Sequence, residues 1–341
     1  MKKFTLVSTV FNEESRLRES IEDIENQSLK PSEIVIVDAG SSDGTLQILH
    51  DWKDQSSIKI NVIVKEKCNV AEGRNLAIES STYDLIVSTD FGCRFAPGWL
   101  FSLVACFNDE QVEVVGGNYT VLESQMTTMP AKAAFLLSNK YEMQIDESFI
   151  PSSRSIAYKK YVWQKVGKYP EWLTLAADDY VFGVKFQKMQ FNYKVVSEPY
   201  VFWLRHDSIL GYAKESFRYG LGDGEAGTNN RNFISNSLEL ILRYTFFLTL
   251  LTGLFLWDLY ALIVLVPTSL GLRSYFFALK KWNKYKSERY PIRVFWAMLP
   301  LIERTRLFYI RGYLRGYFFK SKLQKEGAES FKRFLDENSD L

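Results

Sequence analysis

"IVIVDAGSSDGT", Ile34 to Thr45, is the stretch whose reading decides the fold. The β-branched run Ile34–Val37 reads as a buried strand. Asp38 stands at its end, Gly40 and Gly44 permit tight turns, and Asp43 or Thr45 can cap a helix starting there. Thr45–Trp52 then carries apolar residues at helical spacing. The same order recurs on either side. Phe4–Val10 is an apolar strand followed by a helix over Ser15–Asn26, with Leu17, Ile21 and Ile24 on one face. Ile60–Val64 precedes a helix over Val70–Ser80, and Leu85–Thr89 and Val112–Val115 are further strands. Strands alternating with helices predict an α/β fold with a mostly parallel, Rossmann-like sheet covered on both faces. The loop is neither G-x-G-x-x-G nor a Walker loop, so neither a dehydrogenase nor an NTPase is indicated. Asp38 can accept hydrogen bonds from the N–H groups of a base, although an ordinary βα loop would carry the same residues.

Charge and composition narrow the function classes. A net charge of +2 over 341 residues argues against a nucleic-acid binder. The three cysteines, Cys68, Cys93 and Cys106, are irregularly spaced, which suggests reduced thiols and neither a disulfide frame nor a zinc site. With only His50 and His206 in the chain, no nucleophilic triad is readable. The opening "MKKFTLVSTVFNEE" breaks into Asn12-Glu13-Glu14 too soon for a signal peptide. It reads as the first strand of a region that stays in the cytosol.

Beyond Leu238 the composition changes. Leu238–Trp257 and Leu259–Leu279 are almost wholly apolar, with Glu239, Arg243, Asp258 and Arg273 as ionisable exceptions. Each approaches the roughly 20 apolar residues that a helix needs to cross a bilayer. Basic residues on both flanks favour a hairpin with both ends cytoplasmic, turning at Trp257-Asp258, and leave a single tilted span open. "LFYIRGYLRGYFFK", Leu307–Lys320, mixes aromatic and basic residues as an interfacial helix does.

Three further places can carry chemistry. Arg74, in "NVAEGRNLAI", stands near a helix start where a guanidinium can hold a diphosphate. Taken alone it reads first as a solvated surface arginine. "STDFGC", Ser88–Cys93, leaves Asp90 at a strand end, where ligands of open α/β sheets bind. "ADDYVFGVKF", Ala177–Phe186, opens with Asp178 and Asp179, which can serve as a base or simply favour a helix N-terminus.

In order and spacing these pieces, with "VSTVFNEE" (Val7–Glu14) and "RSIAYKKYVWQKVGKYPEWL" (Arg154–Leu173), resemble glycosyltransferase family 2 from about Phe4 to Gly227. These are inverting, nucleotide-sugar-dependent enzymes with the A-type glycosyltransferase fold. "FRYGLGDGEAG", Phe217–Gly227, followed by apolar spans, looks like the membrane-associated branch. The resemblance implies a catalytic region over 1–232, with a nucleotide-binding half (1–117) and an acceptor half (118–232). A transmembrane hairpin over 233–280 and interfacial helices with a polar tail over 281–341 would follow.

The resemblance also assigns residues. Thr9, Phe11 and Glu13 match the motif lining the nucleotide pocket, Asp38 the acid on the base, and Arg74 the basic residue on the nucleotide. Asp90 matches the first acid of the D-x-D motif, whose second acid is replaced here by Gly92. Asp179 matches the general base, with Asp178 its neighbour. A Mg²⁺ or Mn²⁺ ion held by Asp90 and the donor's phosphates is expected, with His206 as a further candidate ligand. If metal proves dispensable, Asp90 would hold the sugar or ribose. The expected partners are a nucleotide-sugar donor, a lipid-linked or glycan acceptor and membrane lipids, at the cell membrane with the catalytic region facing the cytoplasm. A polyprenyl-phosphate sugar synthase is a variant of this reading. A non-catalytic nucleotide-sugar-binding protein is the rival.

Overall fold

A computed structural model describes residues 2–141, 149–256 and 261–338. The chain divides into two units that do not follow sequence order: residues 1–122, 142–204 and 322–341 form one, residues 123–141 and 205–321 the other. In chain order the elements are β1 (Thr5–Val10), α1 (Glu14–Glu25), β2 (Glu33–Asp38), α2 (Thr45–Gln55), β3 (Lys59–Val64), α3 (Val70–Glu79), β4 (Leu85–Ser88), β5 (Arg94–Phe95), α4 (Trp99–Ala105) and β6 (Val114–Thr120). Then come α5 (Met129–Leu137), β7 (Ile156–Lys159), α6 (Lys160–Lys165), α7 (Asp178–Lys188), β8 (Tyr193–Phe202) and α8 (Ile209–Ala226). The rest is helical: α9 (Asn230–Leu256), α10 (Ala261–Thr268), α11 (Arg273–Tyr285), α12 (Ile292–Phe318) and α13 (Lys322–Glu337).

All strands lie in one sheet of the first unit, in the order β3-β2-β1-β4-β7-β6-β8-β5. The β3-β2-β1-β4 half is parallel; β7 enters antiparallel between β4 and β6, and β6 pairs parallel with β8. The expected parallel α/β sheet is therefore present, with β5 and β7 as its antiparallel members. Period-two alternation splits the core into two layers. Leu6, Ile34, Ile36 and Val87 pack with Leu17, Leu49 and Trp99 on one face. Val7, Val35, Val37 and Ile86 pack with Ile78, Trp163 and Phe182 on the other. Burial on both faces explains why β2 reads as a continuous apolar run.

The strand expected at Val112–Val115 runs instead from Val114 to Thr120. Gly116 and Gly117 hide it from a propensity reading, yet a Cβ at Gly117 would lie 2.0 Å from Ser155 Oγ. Close approach, not side-chain preference, selects glycine there. Register places Val10 beside Asp38 and Val7 beside Ser88, so β1, β2 and β4 present their carboxyl ends at one edge.

In the second unit α8 and α12 pack backbone to backbone. A Cβ at Gly220 or Gly224 would meet the carbonyl oxygens of Tyr309 and Tyr313 at 2.1 and 2.2 Å, and one at Gly312 or Gly316 those of Phe217 and Leu221 at 2.2 and 2.3 Å. Backbone oxygens of packed helices cannot swing aside. Gly312→Ala should therefore cost about 1–3 kcal/mol, seen as a lowered melting midpoint in detergent; an unchanged midpoint would contradict this packing.

Among the described residues α9 contains one stretch, Asn230–Gly253, long and apolar enough to cross a membrane. The second apolar run is divided between α10, a short 3₁₀ turn at Ser269–Leu272 and α11, with Pro267 inside α10. The expected turn at Trp257-Asp258 lies outside the described residues. Three of the charged exceptions, Glu239, Arg243 and Arg273, find each other; Asp258 lies outside the described residues. Arg243 bonds Glu239 (2.7 Å), the Gly271 carbonyl (2.8 Å), Ser274 (2.7 Å) and Glu303, while Arg306 (2.5 Å) and Arg273 (3.2 Å) also reach Glu239. Buried charges persist only when paired in this way.

Candidate active site

Asp38 ends β2 and is 1% exposed. Its Oδ1 accepts from the N–H groups of Gly40 and Ser41 (both 2.9 Å), and its Oδ2 from the Ser41 hydroxyl (2.6 Å). The carboxylate thus shapes its own loop as an Asx turn. That loop is joined to the turn after β1: Asn12 Oδ1 accepts from Ser42 N–H (2.9 Å), Glu14 Oε2 from Gly44 N–H (2.8 Å), and Thr45 Oγ1 from Glu13 N–H (2.8 Å). The two motifs form one surface. Thr9 lies near its inner side, where its Cγ2 faces Gly73 so closely that a Cβ there would meet it at 2.4 Å. Phe11 projects from the surface, 57% exposed.

Arg74 lies on α3 but is not a surface arginine. It is 4% exposed and donates to Asp178 and to Asp90 Oδ1 (2.5 Å), with its guanidinium 5.5 Å from the Tyr169 ring centroid. An inward Arg on α3 therefore ties the strand-end acid of β4 to the first acid of α7, a residue 104 positions away. Burial disfavours the charged Arg74, but Asp90 and Asp178 more than offset it and raise the guanidinium's pKa well above its ordinary value. Burial would likewise raise Asp90, yet Arg74 and Arg154 hold its carboxyl below the usual range. For Asp178 burial wins, with help from Asp179, and its pKa is raised despite Arg74. Arg74 Nε is buried without a hydrogen-bond partner among the described residues.

Asp179 sits beside this cluster on the first turn of α7. Its Oδ2 accepts from the Ser152 hydroxyl (3.1 Å) and its Oδ1 from Tyr180 N–H (2.9 Å). Ser152 in turn accepts from Arg154 (2.9 Å), whose Nε lies 3.6 Å from Asp90 Oδ2. The structure thus brings Arg74, Asp90, Asp178 and Asp179 together and adds Ser152 and Arg154, to which the sequence reading gave no role. A lone arginine in a polar run gives no local signal; the missing acid at Gly92 was the one available hint.

Gly92 has φ +97°, and a Cβ there would lie 2.7 Å from Glu13 Oε2. The Glu13 carboxyl thus abuts the space a second acid's side chain would enter. Burial pushes its pKa up to about 7; Asp90 adds to the rise and Arg16 opposes it. His206 belongs to the second unit. There its Nε2 lies 3.8 Å from Glu215 and its ring meets Tyr212 edge-on, beside a two-pronged Arg205–Glu215 pair at 2.7 and 2.6 Å.

The expected divalent ion can be tested against this donor set. Within the first unit one motif acid is present, and each of its oxygens faces a guanidinium. Burial pushes Glu13 toward its neutral form. No group of three or more His, Cys, Asp or Glu poised for a metal occurs among the described residues. Hard cations want several anionic or carbonyl oxygens. Without the donor's phosphates, these side chains alone do not assemble such a site.

Residues 5–162 match the family model described as Glycosyl transferase family 2. Glycosyltransferase AglE of Haloferax volcanii is 22% identical over 176 residues, 51% of this chain and 58% of that protein. The O-antigen chain rhamnosyltransferase RfbN of Salmonella typhimurium is 24% identical over 204 residues, 57% and 63% of the two chains. The matches thus span little more than half of these relatives' length. The solved structure of the mannosyltransferase PcManGT from Pyrobaculum calidifontis, in complex with GDP-Man and Mn²⁺, aligns with a TM-score of 0.57 at 16% identity. That alignment covers 94% of this chain and 88% of that one. At that identity the likeness is one of fold, and it agrees with the A-type glycosyltransferase architecture expected from the sequence. The family match, the relatives and the fold together support a glycosyl transferase family 2 domain over residues 5–162.

Proposed function

We propose that the protein is a membrane-anchored, inverting glycosyltransferase that moves a sugar from a nucleotide-sugar donor to a lipid-linked or polysaccharide acceptor. One observation carries this reading: a buried arginine gathers the acids of β4 and α7 at the carboxyl edge of the sheet, with Asp179 beside them. That edge is where α/β sheets bind nucleotides. The Asp38 loop and the turn carrying Phe11 and Glu13 form the nucleotide side. Asp179 is the base: it takes the proton of the acceptor hydroxyl while that oxygen attacks the anomeric carbon from the face opposite the leaving diphosphate. The bond from that carbon to the diphosphate oxygen breaks, and its electron pair leaves with the nucleoside diphosphate. The test is to incubate purified protein with a panel of nucleotide sugars and lipid or glycan acceptors, scoring nucleoside diphosphate release and product anomer. Acceptor-dependent release with inversion is expected. Donor binding without turnover would instead support the binding-protein rival.

The membrane part of the proposal draws on α9 and α12. Leu307, Ile310, Leu314 and Phe318 line an open groove of about 590 Å³ edged by Arg311 and Arg315. Apolar and cationic side chains on one helix suit the boundary between lipid tails and anionic headgroups. With α9 as its span and the first unit facing the cytoplasm, the full chain should remain in the membrane pellet after alkaline carbonate extraction. Its complete release into the supernatant would refute anchoring.

A further inference from the structure

We infer that Arg154 does the work a divalent cation would do in this site: its guanidinium contacts the donor's diphosphate and stabilises the negative charge that develops on it as the sugar departs. The inference rests on the glycosyltransferase reading above and concerns the chemistry of the leaving group.

Three observations point to Arg154. The first is how firmly it is held. The Thr89 hydroxyl donates to the Arg154 carbonyl (2.8 Å), fixing the residue beside the neighbour of Asp90. Its guanidinium lies 4.3 Å from the centroid of Trp203 and 5.6 Å from that of Tyr119, two rings that pack edge to face. Aromatic contacts orient a planar cation and replace part of its hydration, as they do for arginines that recognise phosphates. The second is its position between the two halves of the reaction. It stands 3.6 Å from Asp90 and donates to Ser152, whose hydroxyl donates to Asp179. A cation there lies beside the strand-end acid and one residue from the base.

The third is that the backbone at the place of the motif's second acid disfavours a side chain. Gly92 adopts a left-handed φ of +97°, its N–H donates to Ser20 Oγ (3.1 Å), and a Cβ would run into the Glu13 carboxyl. An aspartate at this position would be strained at that φ and would require the Glu13 carboxyl to move. The loop is built around glycine, and the one acid it retains faces two guanidiniums. Charge at the leaving group is therefore met by a fixed fork of N–H donors, which needs no loading and no proton transfer. When the acceptor oxygen bonds the anomeric carbon, the electrons of the broken bond settle on the terminal phosphate oxygen. Arg154 meets them there, and the acceptor proton goes to Asp179.

The test is calorimetric titration of the full chain in detergent with UDP, GDP, dTDP and CDP and the corresponding monophosphates, first in EDTA and then in millimolar Mn²⁺. The expected result is a diphosphate affinity that changes less than about threefold on adding Mn²⁺. Arg154→Gln should weaken the diphosphate by about 10- to 100-fold, the effect of one charged hydrogen bond, and leave the monophosphate nearly unchanged. Arg154→Lys, which keeps the charge and loses the fork, should fall between; it decides the matter if the Gln variant does not fold. A tenfold or greater gain from Mn²⁺, or variants that bind diphosphate as wild type does, would overturn the inference while leaving the glycosyltransferase reading intact. Failure of wild type to bind any of these nucleotides would overturn the donor reading itself.

Discussion

Asp179→Asn should lower the rate of sugar transfer by about 10²- to 10⁴-fold while donor affinity stays within a few-fold of wild type. The amide retains the shape of the carboxylate and can still accept from Ser152 and from Tyr180 N–H, so the first turn of α7 should keep its geometry. What it cannot do is take a proton. A loss confined to turnover, with binding preserved, is the mark of a group needed in the transition state alone. Asp178→Asn is the control. Asp178 is spent on Arg74, so its loss should disturb stability and binding together and spare most of the chemistry. Near wild-type turnover by Asp179→Asn would remove it from the mechanism. Equal losses in turnover from the two variants would point to a shared structural role.

Arg74→Met should be the most damaging single substitution for the fold of the first unit. It leaves Asp90 and Asp178 facing each other near the sheet edge with their shared cation gone. Breaking a buried pair by removing one partner costs about 3–5 kcal/mol, which for a unit of this size corresponds to a fall of roughly 10 °C in melting midpoint. The penalty comes mainly from stranded carboxylates, so the double variant Arg74→Met, Asp178→Asn should recover a substantial part of it. Both variants should bind nucleoside diphosphate poorly. A single variant that melts within about 2 °C of wild type would show that the acids are solvated and the cluster is not a unit.

The first four strands and their helices could be read from the sequence because each is a local signal: a buried apolar run, a glycine loop, a helical stripe. The later sheet was less visible. β7 is inserted antiparallel between β4 and β6, a pairing decided by chain segments far apart in sequence, and β8 carries charges and a proline. At the candidate site, motif order singled out Asp90 and Asp179, but did not show that Arg74 is internal. Nothing around "AEGRNLAI" states that Asp178 will come to meet it. The surroundings of Arg154 were unreadable for the same reason, since its partners Trp203, Tyr119 and Asp90 come from three different strand ends. Among the charged exceptions of the apolar runs, the sequence could show that Glu239 and Arg243 are one helical turn apart. It could not show that Ser274, Glu303 and Arg306 complete their shell.

Helix α13 carries a consequence for how the molecule is made. Although it follows every helix of the second unit, it belongs to the first. Gly327 lies against the Trp172 indole, where a Cβ would come within 2.3 Å, Gln324 donates to Thr174 (2.9 Å), and the Phe334 ring faces Lys185. Trp172 and Thr174 precede α7, the helix that bears Asp179. A ribosome therefore emits the sheet first, then the apolar α9, and only afterwards the segment that covers this flank. During synthesis the nascent first unit must wait, uncovered beside α7, until the whole second unit has emerged. The flank beside α7 is thus closed only by a segment made after every helix of the second unit.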